Sequence, residues 1–230
     1  MLGILKKWDN LPVEFQKEEI KPYYEYLCQK QFSLILKRLF DILFSLVLLV
    51  LLSPLFLILS IWIKLDSKGP ILFRQERVTQ YGRIFRIHKF RTMVSDADKG
   101  NVQVTTLYDS RITKVGSKLR GLRLDEIPQL IDIFLGDMSF VGTRPEVARY
   151  VKQYETEMLA TLLLPAGVTS EASITYKDED TLLANSTDVN ETYVKQILPK
   201  KMKYNLQYLK EFHVLKDLQL VLKTIVAVIK

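Results

Sequence analysis

The longest apolar segment of the chain runs from Ile42 to Ile63 and contains no charged residue. As a straight helix, at about 1.5 Å per residue, it would reach about 33 Å, enough to cross the hydrocarbon core of a bilayer. Ser53-Pro54 lies near its middle, and a proline there removes a backbone donor and bends or breaks a helix. The pattern therefore predicts a membrane segment over residues 37–66 made of two helices with a bend at Ser53-Pro54.

Basic residues flank this segment on both sides. Lys37 and Arg38 precede it, and Lys64 and Lys68 follow it. The positive-inside tendency would place both flanks in the cytoplasm. A re-entrant segment, which enters the membrane, bends and leaves on the same side, satisfies the flanks and the proline together. A signal anchor that crosses once is the alternative, and these two features alone do not decide between them.

After the membrane segment, alternating positions predict a β-hairpin with strands Ile71–Val78 and Arg83–Phe90. Gly82 can supply a positive φ in the connecting turn. Helical periodicity predicts one helix from Asp125 to Phe134 and another from Val147 to Leu164. The first helix would bury a face made of Ile127, Leu130, Ile131 and Phe134.

The last segment, Val214 to Lys230, has an amphipathic helical pattern. Leu215, Leu218, Leu222, Ile225 and Ile229 share one side, and Lys216, Asp217, Lys223 and Lys230 share the other. This pattern is typical of a helix lying on a lipid surface, and equally of a helix packed on the core of its own domain. The predicted fold is α+β and mainly helical: a helical extension over residues 1–36, the re-entrant segment 37–66, and a cytoplasmic domain 67–230 with a hairpin and interfacial helices.

The 230 residues carry a net charge of +7, concentrated between Lys64 and Arg123, where 14 basic residues accompany 5 acidic ones. Such a region favours polyanions, and the neighbouring apolar segment favours lipid headgroups or nucleotide phosphates over nucleic acid. Cys28 is the only cysteine, which excludes an internal disulfide and a multi-cysteine metal site. Residues 1–38 are too rich in charge for a cleavable signal peptide.

Asp125 and Glu126 are adjacent carboxylates at the start of a predicted helix, with Arg120 and Arg123 just upstream. The positive end of a helix dipole would keep them ionised and favour anionic ligands nearby. An ionised aspartate in a basic setting can act as a nucleophile or a metal ligand. Helix capping alone is the alternative explanation for this pair.

Three further basic residues are candidates for phosphate binding, one in a predicted turn and two at the end of a predicted strand. Between Gly142 and Pro145, Arg144 would be held with little freedom, in a way that suits bidentate phosphate binding. Lys89 and Arg91 share one face at the end of the second strand, as a phosphate clamp or as a solvated strand face.

The remaining polar clusters give weaker signals. Asp96-Ala97-Asp98 could hold a metal ion, but its polar surroundings favour a solvated loop, as they do for Asp178-Glu179-Asp180. His88 and His213 join no metal-ligand pattern.

Taken together, these segments resemble one family, the bacterial sugar transferases or monotopic phosphoglycosyl transferases, over residues 37–175. The resemblance is carried, in order, by Lys37-Arg38-Leu39-Phe40-Asp41, Ser53-Pro54, Gly69-Pro70-Ile71-Leu72-Phe73-Arg74-Gln75-Glu76-Arg77, Lys89-Phe90-Arg91-Thr92-Met93, Asp109-Ser110-Arg111-Ile112-Thr113, Leu124-Asp125-Glu126-Ile127-Pro128-Gln129-Leu130, Gly136-Asp137-Met138-Ser139-Phe140-Val141-Gly142 and Arg144-Pro145-Glu146.

The resemblance implies transfer of a sugar 1-phosphate from a UDP-sugar to undecaprenyl phosphate or another polyprenol phosphate, with release of UMP. It implies that Asp125 is the nucleophile of a covalent phosphosugar intermediate, that Glu126 completes the dyad, and that Mg²⁺ sits at Asp125 and Glu126. The expected substrate-binding residues are Arg144, Pro145, Lys89, Arg91 and Arg120. The reaction would begin the assembly of a capsule, exopolysaccharide, O-antigen or protein glycan.

The implied location is the bacterial inner membrane, with the catalytic domain facing the cytoplasm. Phospholipids and downstream glycosyltransferases are candidate partners, and nucleic acid is not expected. Two other functions stay open: a metal-dependent glycosyltransferase that releases UDP, supported only by Asp96-Ala97-Asp98, and a non-enzymatic basic adaptor tethered to the membrane.

Overall fold

The computed structural model describes residues 5–95, 109–177, 179 and 188–229. This part of the chain is mostly helical with two small two-stranded sheets, in agreement with the predicted α+β class. The helices and strands are α1 Lys21–Gln29, α2 Gln31–Leu51, α3 Ser53–Asp66, β1 Leu72–Val78, β2 Ile84–Phe90, α4 Lys114–Gly121, α5 Gln129–Leu135, β3 Met138–Val141, α6 Ala148–Val151, β4 Ala166–Thr169, α7 Glu171–Thr175, α8 Val189–Thr192, α9 Leu198–Lys210 and α10 Val214–Ile229.

Helices α2 and α3 meet at Leu52 with a bend of 61°. Pro54 stands in the first turn of α3, where its missing N–H would have no intrahelical partner in any case. The predicted helix-break-helix is therefore confirmed. Among the described residues, no single helix is long and apolar enough to cross a membrane; α2 and α3 reach that length and composition only as a bent pair.

Large apolar side chains are exposed along this bent pair and along α10. Leu43, Val50 and Leu57 are each more than half exposed, as are Leu215 and Leu222 of α10. The apolar side of α10 therefore does not pack on the core of the domain. A soluble protein rarely exposes apolar surface on this scale unless it meets a membrane or a partner.

The position of Asp217 corrects the amphipathic pattern predicted for the C-terminal helix. The pattern places Asp217 with the exposed charges, but its side chain is buried and forms an ion pair with Lys37 of α2. Burial of the aspartate is compatible with the fold because a buried charge is tolerated when it is paired and hydrogen-bonded.

The hairpin matches its prediction closely. Strands β1 and β2 pair antiparallel, with Leu72 opposite Phe90 and Val78 opposite Ile84. Gly82 has a φ of 76° in the connecting turn, as expected. The second sheet, in which β3 and β4 pair in parallel, is not predicted by the sequence pattern because each strand has only four residues.

Two predicted helices have the wrong bounds. The helix predicted from Asp125 to Phe134 begins only at Gln129 and buries Ile133, whereas Phe134 is exposed. The segment predicted as one helix from Val147 to Leu164 is a short α6 followed by a 3-10 helix over Thr156–Leu163. Consecutive residues from 160 to 164 are buried, so tertiary packing surrounds this segment on all sides and overrides a one-sided helical pattern.

The main apolar core packs residues near the N-terminus against residues from the second half of the chain. Phe15, Ile20 and Leu27 from the N-terminal part pack with Leu163 and with Phe212, which follows α9. The carboxylate-bearing segment lies outside this cluster, between the hairpin and the loop after β3.

Candidate functional site

Asp125 and Glu126 lie in a 3-10 turn, Leu124–Glu126, rather than in an α-helix. The turn begins after Arg123, whose φ of 55° and ψ of 19° place it in the left-handed region. A non-glycine residue rarely adopts this conformation, and such strained positions cluster at functional sites. The side chain of Arg123 donates to the carbonyl of Lys177, 3.2 Å away, and this contact helps to hold the turn.

Glu126 is clamped between two cations from different parts of the chain. Lys89, near the end of β2, lies 2.9 Å from Oε1. Arg144, after β3, donates to the same oxygen through Nη2 and lies 3.4 Å from Oε2 through Nη1. Burial alone would raise the pKa of Glu126, but the charges of Arg144 and Lys89 outweigh it and hold that pKa well below its usual range.

Asp125 has a different environment from its neighbour. It is nearly buried, and no described residue donates a hydrogen bond to its carboxylate. Burial raises the pKa of Asp125, while the charge of Lys89 lowers it and that of Glu126 raises it. The pair lies in a 3-10 turn that precedes the α-helix, so the charges of Lys89, Arg120 and Arg144, rather than a helix dipole, are the groups that oppose the desolvation of Asp125. Two adjacent carboxyl groups with pKa values shifted in opposite directions are typical of a functional site.

The loop that carries Arg144 is fixed by backbone contacts on both sides. The N–H of Gly167 donates to the carbonyl of Thr143 over 2.8 Å, and Arg77 of β1 donates to the carbonyl of Pro145 over 3.1 Å. A Cβ on Gly167 would lie 2.1 Å from the nitrogen of Gly142, so only glycine allows the two chain segments to approach this closely. Arg144 is thus presented with little freedom, as its sequence context predicts.

Arg91 and Arg120 have separate positions. Arg91 is buried, and its guanidinium donates to the carbonyls of Ser67 and Lys68 at the end of α3. It therefore fastens the end of α3 to the hairpin instead of joining Lys89 at the carboxylates, which corrects the predicted two-residue clamp. Arg120 lines the same cleft as Asp125, and its charge lowers the pKa of that carboxyl.

Sequence reasoning missed the contact that holds β2 next to Lys89. Asp132 of α5 is fully buried. Its Oδ2 accepts from the backbone N–H of His88 at 2.9 Å, and its Oδ1 lies 2.6 Å from Nδ1 of the same histidine. The signal in the sequence was an acidic residue, Asp132, on the buried face of an amphipathic helix, where a charged side chain requires a partner. This contact ties α5 to β2 and thereby helps to position Lys89.

The described residues include no group of three or more His, Cys, Asp or Glu side chains that could enclose a metal ion. Asp96-Ala97-Asp98, Asp178 and Asp180 lie outside the described residues, and Glu179 pairs with Lys201 at 2.8 Å. Both oxygens of Glu126 already accept from cations, so Asp125 is the carboxylate at this turn whose oxygens are open to a metal. One carboxylate together with substrate phosphates and water fits the way Mg²⁺ is commonly held.

The carboxylate turn opens into one broad cleft. Its polar part contains Asp125, Glu126 and the cations Lys89, Arg120 and Arg144. A carboxylate that accepts no hydrogen bond from a described residue, next to several positive groups, can attack or bind a phosphorus centre whose negative charge those groups offset. The arrangement therefore suits the chemistry of phosphate esters.

Comparison with known proteins points to one family. The model of a family described as bacterial sugar transferase matches residues 32–230. The chain is 34% identical over 193 residues to the UDP-N-acetylgalactosamine-undecaprenyl-phosphate N-acetylgalactosaminephosphotransferase of Aeromonas hydrophila, covering 83% of this chain and 43% of that protein.

Two relatives named as UDP-glucose:undecaprenyl-phosphate glucose-1-phosphate transferases are also similar. The Escherichia coli protein is 36% identical over 196 residues, covering 83% of this chain and 39% of the relative. The Caulobacter vibrioides protein is 33% identical over 192 residues, covering 82% of this chain and 68% of the relative. The chain thus spans less than half the length of the first two relatives.

Proposed function

The chain belongs to the bacterial sugar transferase family, and we propose that it transfers a sugar 1-phosphate from a UDP-sugar to undecaprenyl phosphate, releasing UMP. The names of its relatives state this type of donor and acceptor. The observation that carries the proposal is the asymmetry of the dyad. Glu126 is held by Lys89 and Arg144, while the Asp125 carboxylate beside it has no hydrogen-bond partner among the described residues.

In the first step Asp125 acts as the nucleophile. A carboxylate oxygen forms a bond to the phosphorus that carries the sugar, the bond from that phosphorus to the bridging oxygen of the diphosphate breaks, and UMP leaves with the electron pair. The enzyme then holds the sugar phosphate as an acyl phosphate on Asp125. The nearly buried position of Asp125 supports this role because a desolvated carboxylate is a stronger nucleophile than a hydrated one.

Glu126 acts in this proposal by positioning two cations rather than by attacking. Its carboxylate holds the ammonium of Lys89 and the guanidinium of Arg144 side by side. Phosphoryl transfer depends chiefly on positioning and on neutralising the negative charge that spreads over the phosphate oxygens. Two cations held in advance on one carboxylate meet both needs.

In the second step an oxygen of the polyprenol phosphate attacks the same phosphorus. The bond to Asp125 breaks, the carboxylate is regenerated, and the product is a polyprenol-diphosphate sugar. The covalent intermediate allows one site to take its aqueous substrate first and its lipid substrate second. The open cleft at the carboxylate turn supports sequential binding, since UMP can leave before the acceptor arrives.

We also propose that the diphosphate brings Mg²⁺ to the site. Asp125 would hold the ion together with phosphate oxygens and water, whereas Glu126 stays with Lys89 and Arg144. When bound, Mg²⁺ would offset negative charge on the diphosphate of the donor and on the departing UMP.

The proposed location is the cytoplasmic face of the bacterial inner membrane. The bend of 61° between α2 and α3 supports a re-entrant segment, and the exposed apolar residues of α2, α3 and α10 support contact with lipid. The segment would keep the carboxylate turn near lipid phosphates. A relative named as an exopolysaccharide production protein is consistent with a role in starting a surface polysaccharide.

A panel of UDP-sugars incubated with the protein, undecaprenyl phosphate and Mg²⁺ tests this function. The proposal expects UMP and a lipid-diphosphate sugar with at least one donor. Release of UDP would favour a glycosyltransferase that moves the bare sugar. Binding of anionic lipid without turnover of any donor would favour the adaptor.

A further inference from the structure

We propose that the hydrocarbon chain of the acceptor lies in an apolar groove between α2 and α10, an inference that rests on the proposed function. The cleft that contains the carboxylate turn extends between these two helices. Leu48 of α2 and Leu52, at the junction of α2 and α3, line one side of the extension, and Val221 and Ile225 of α10 line the other. Phosphate binding by the cations at the turn does not account for this apolar extension of the cleft.

The floor of the groove is made by the small sheet and α5. Phe140 of β3 is partly exposed and lines it, and the fully buried Ile133 of α5 lies beneath the surface. The ring of Phe44, on α2, lies 5.3 Å from the ring of Phe140, centroid to centroid. These contacts give the groove a preformed apolar surface, which is the usual character of a small-molecule site.

The two walls are joined to each other by an ion pair. Lys37 of α2 and Asp217 of α10 are buried and lie 2.6 Å apart, between nitrogen and oxygen. Because both residues precede the groove-lining positions of their helices, the pair anchors α2 and α10 beside the groove. The groove therefore has anchored walls as well as a packed floor.

The distribution of charge along the cleft favours a polyprenyl phosphate over a UDP-sugar as the ligand of the apolar part. One part holds Lys89 and Arg144 next to Asp125, and the other part is lined by hydrocarbon side chains. A UDP-sugar is polar along its whole length and gains nothing from the apolar part. A polyprenyl phosphate has a single anionic head and a long hydrocarbon chain, so it matches both parts in one pose with its phosphate at the turn.

The surroundings of the groove explain how such a chain would enter. Exposed apolar residues stand on both walls, including Leu43 and Val50 on α2 and Leu218 on α10. A hydrocarbon chain coming from a bilayer would thus reach the groove without crossing water. Ordinary phospholipid chains could contact the same exposed faces, but a chain whose phosphate lies at the carboxylate turn is the one expected to occupy the part of the cleft that Phe140 lines.

Chain-length selectivity tests the proposal. The ratio of kcat/KM for an eleven-isoprene phosphate to kcat/KM for a two-isoprene phosphate would be measured in Val221→Trp, which fills the groove from α10. Gln219→Trp is the matched control, because Gln219 is exposed on the same helix and does not line the cleft. We expect Val221→Trp to lower the ratio about tenfold, the order expected from steric exclusion at an apolar pocket, with the KM for the UDP-sugar unchanged. Gln219→Trp should keep the wild-type ratio.

A photoreactive acceptor gives a second measurement on the wild-type protein and does not depend on the folding of a variant. A diazirine in the first isoprene units should label Phe140 or the lining residues of α2 and α10. A diazirine phospholipid should label the exposed faces and leave Phe140 unlabelled. An unchanged ratio in Val221→Trp, or acceptor labelling away from the groove, would overturn the inference. Absence of wild-type turnover with every UDP-sugar would instead overturn the proposed function.

Discussion

Lys37 and Asp217 form a buried ion pair, 2.6 Å between nitrogen and oxygen, that joins α2 to the C-terminal helix α10. The same ammonium donates to the carbonyl of Val141 at 2.8 Å. One turn further along α2, Asp41 accepts from the backbone N–H of Phe140 at 3.1 Å. Two charged residues of α2 thus hold consecutive residues of β3. Since β3 leads directly to Arg144, the position of α2 and that of the candidate site are physically linked.

Loss of one member of this pair should destabilise the protein strongly. Lys37→Met leaves Asp217 buried without its cation, which should lower the free energy of unfolding by about 3–5 kcal/mol. The double variant with Asp217→Leu should lose less than the sum of the single variants. Denaturant unfolding in detergent measures both. The control Lys223→Met breaks an exposed pair with Glu171 and should cost less than about 1 kcal/mol. Additive losses at Lys37 and Asp217 would contradict this account.

Glu126→Gln should impair turnover because it removes the charge that holds Lys89 and Arg144 together. We expect kcat/KM for the UDP-sugar to fall about 10²- to 10³-fold, as for the loss of other preorganised electrostatic contacts. The matched control is Glu191→Gln, which breaks an exposed pair with Lys195 and should leave kcat/KM unchanged. Steady-state kinetics of UMP release provide the measurement. Wild-type kcat/KM in Glu126→Gln would show that the clamp has no catalytic importance.

Activity should fall as the pH is lowered, because Asp125 must be ionised to attack. Burial raises the pKa of Asp125 above its ordinary value, and the charge of Lys89 opposes that rise. Lys89→Met removes the opposing charge, so the acidic limb of the kcat profile should move to higher pH. The exposed Lys152 provides the control, since Lys152→Met should leave the limb in place. A limb that moves to lower pH in Lys89→Met would mean that the titrating group is not Asp125.

The proposed re-entrant topology predicts that both ends of the bent helix pair are on the same side of the membrane. In a Cys28→Ser background, Glu25→Cys and Lys68→Cys place single thiols at exposed positions before α2 and after α3. An impermeant thiol reagent applied to vesicles of one known orientation should modify both or neither. Modification of only one of the two thiols would indicate a segment that crosses the membrane once.

Features that depend on neighbouring residues were predictable from the sequence. A proline within an apolar helix bends it wherever the helix lies, and Gly82 can adopt a positive φ in any hairpin turn. The bend after α2 and the hairpin are accordingly as predicted. The identities of Asp125, Glu126, Lys89 and Arg144 as candidates also came from local motifs, and the structure brings all four together.

Features that depend on distant residues were not predictable. Asp217 looks like a solvated charge until Lys37, 180 positions away in the sequence, is placed beside it. Arg123 adopts a left-handed conformation immediately before the carboxylate turn. The sequence does not indicate this conformation, because the position is not a glycine. Arg91 shares strand periodicity with Lys89, yet carbonyl groups at the end of α3 take its guanidinium. In each case the deciding contact comes from tertiary structure.

The central claim, that Asp125 receives the sugar phosphate, can be tested in a single turnover without acceptor. A UDP-sugar labelled in the sugar-bearing phosphate would be mixed with excess enzyme, and the protein analysed by mass spectrometry. Asp125→Asn is the control: because burial disfavours the ionised carboxylate, the amide should unfold at a temperature no lower than wild type. The account predicts release of UMP and a labelled peptide containing Asp125, lost on addition of undecaprenyl phosphate and absent in Asp125→Asn. Full turnover by Asp125→Asn, or an adduct on another residue, would contradict it.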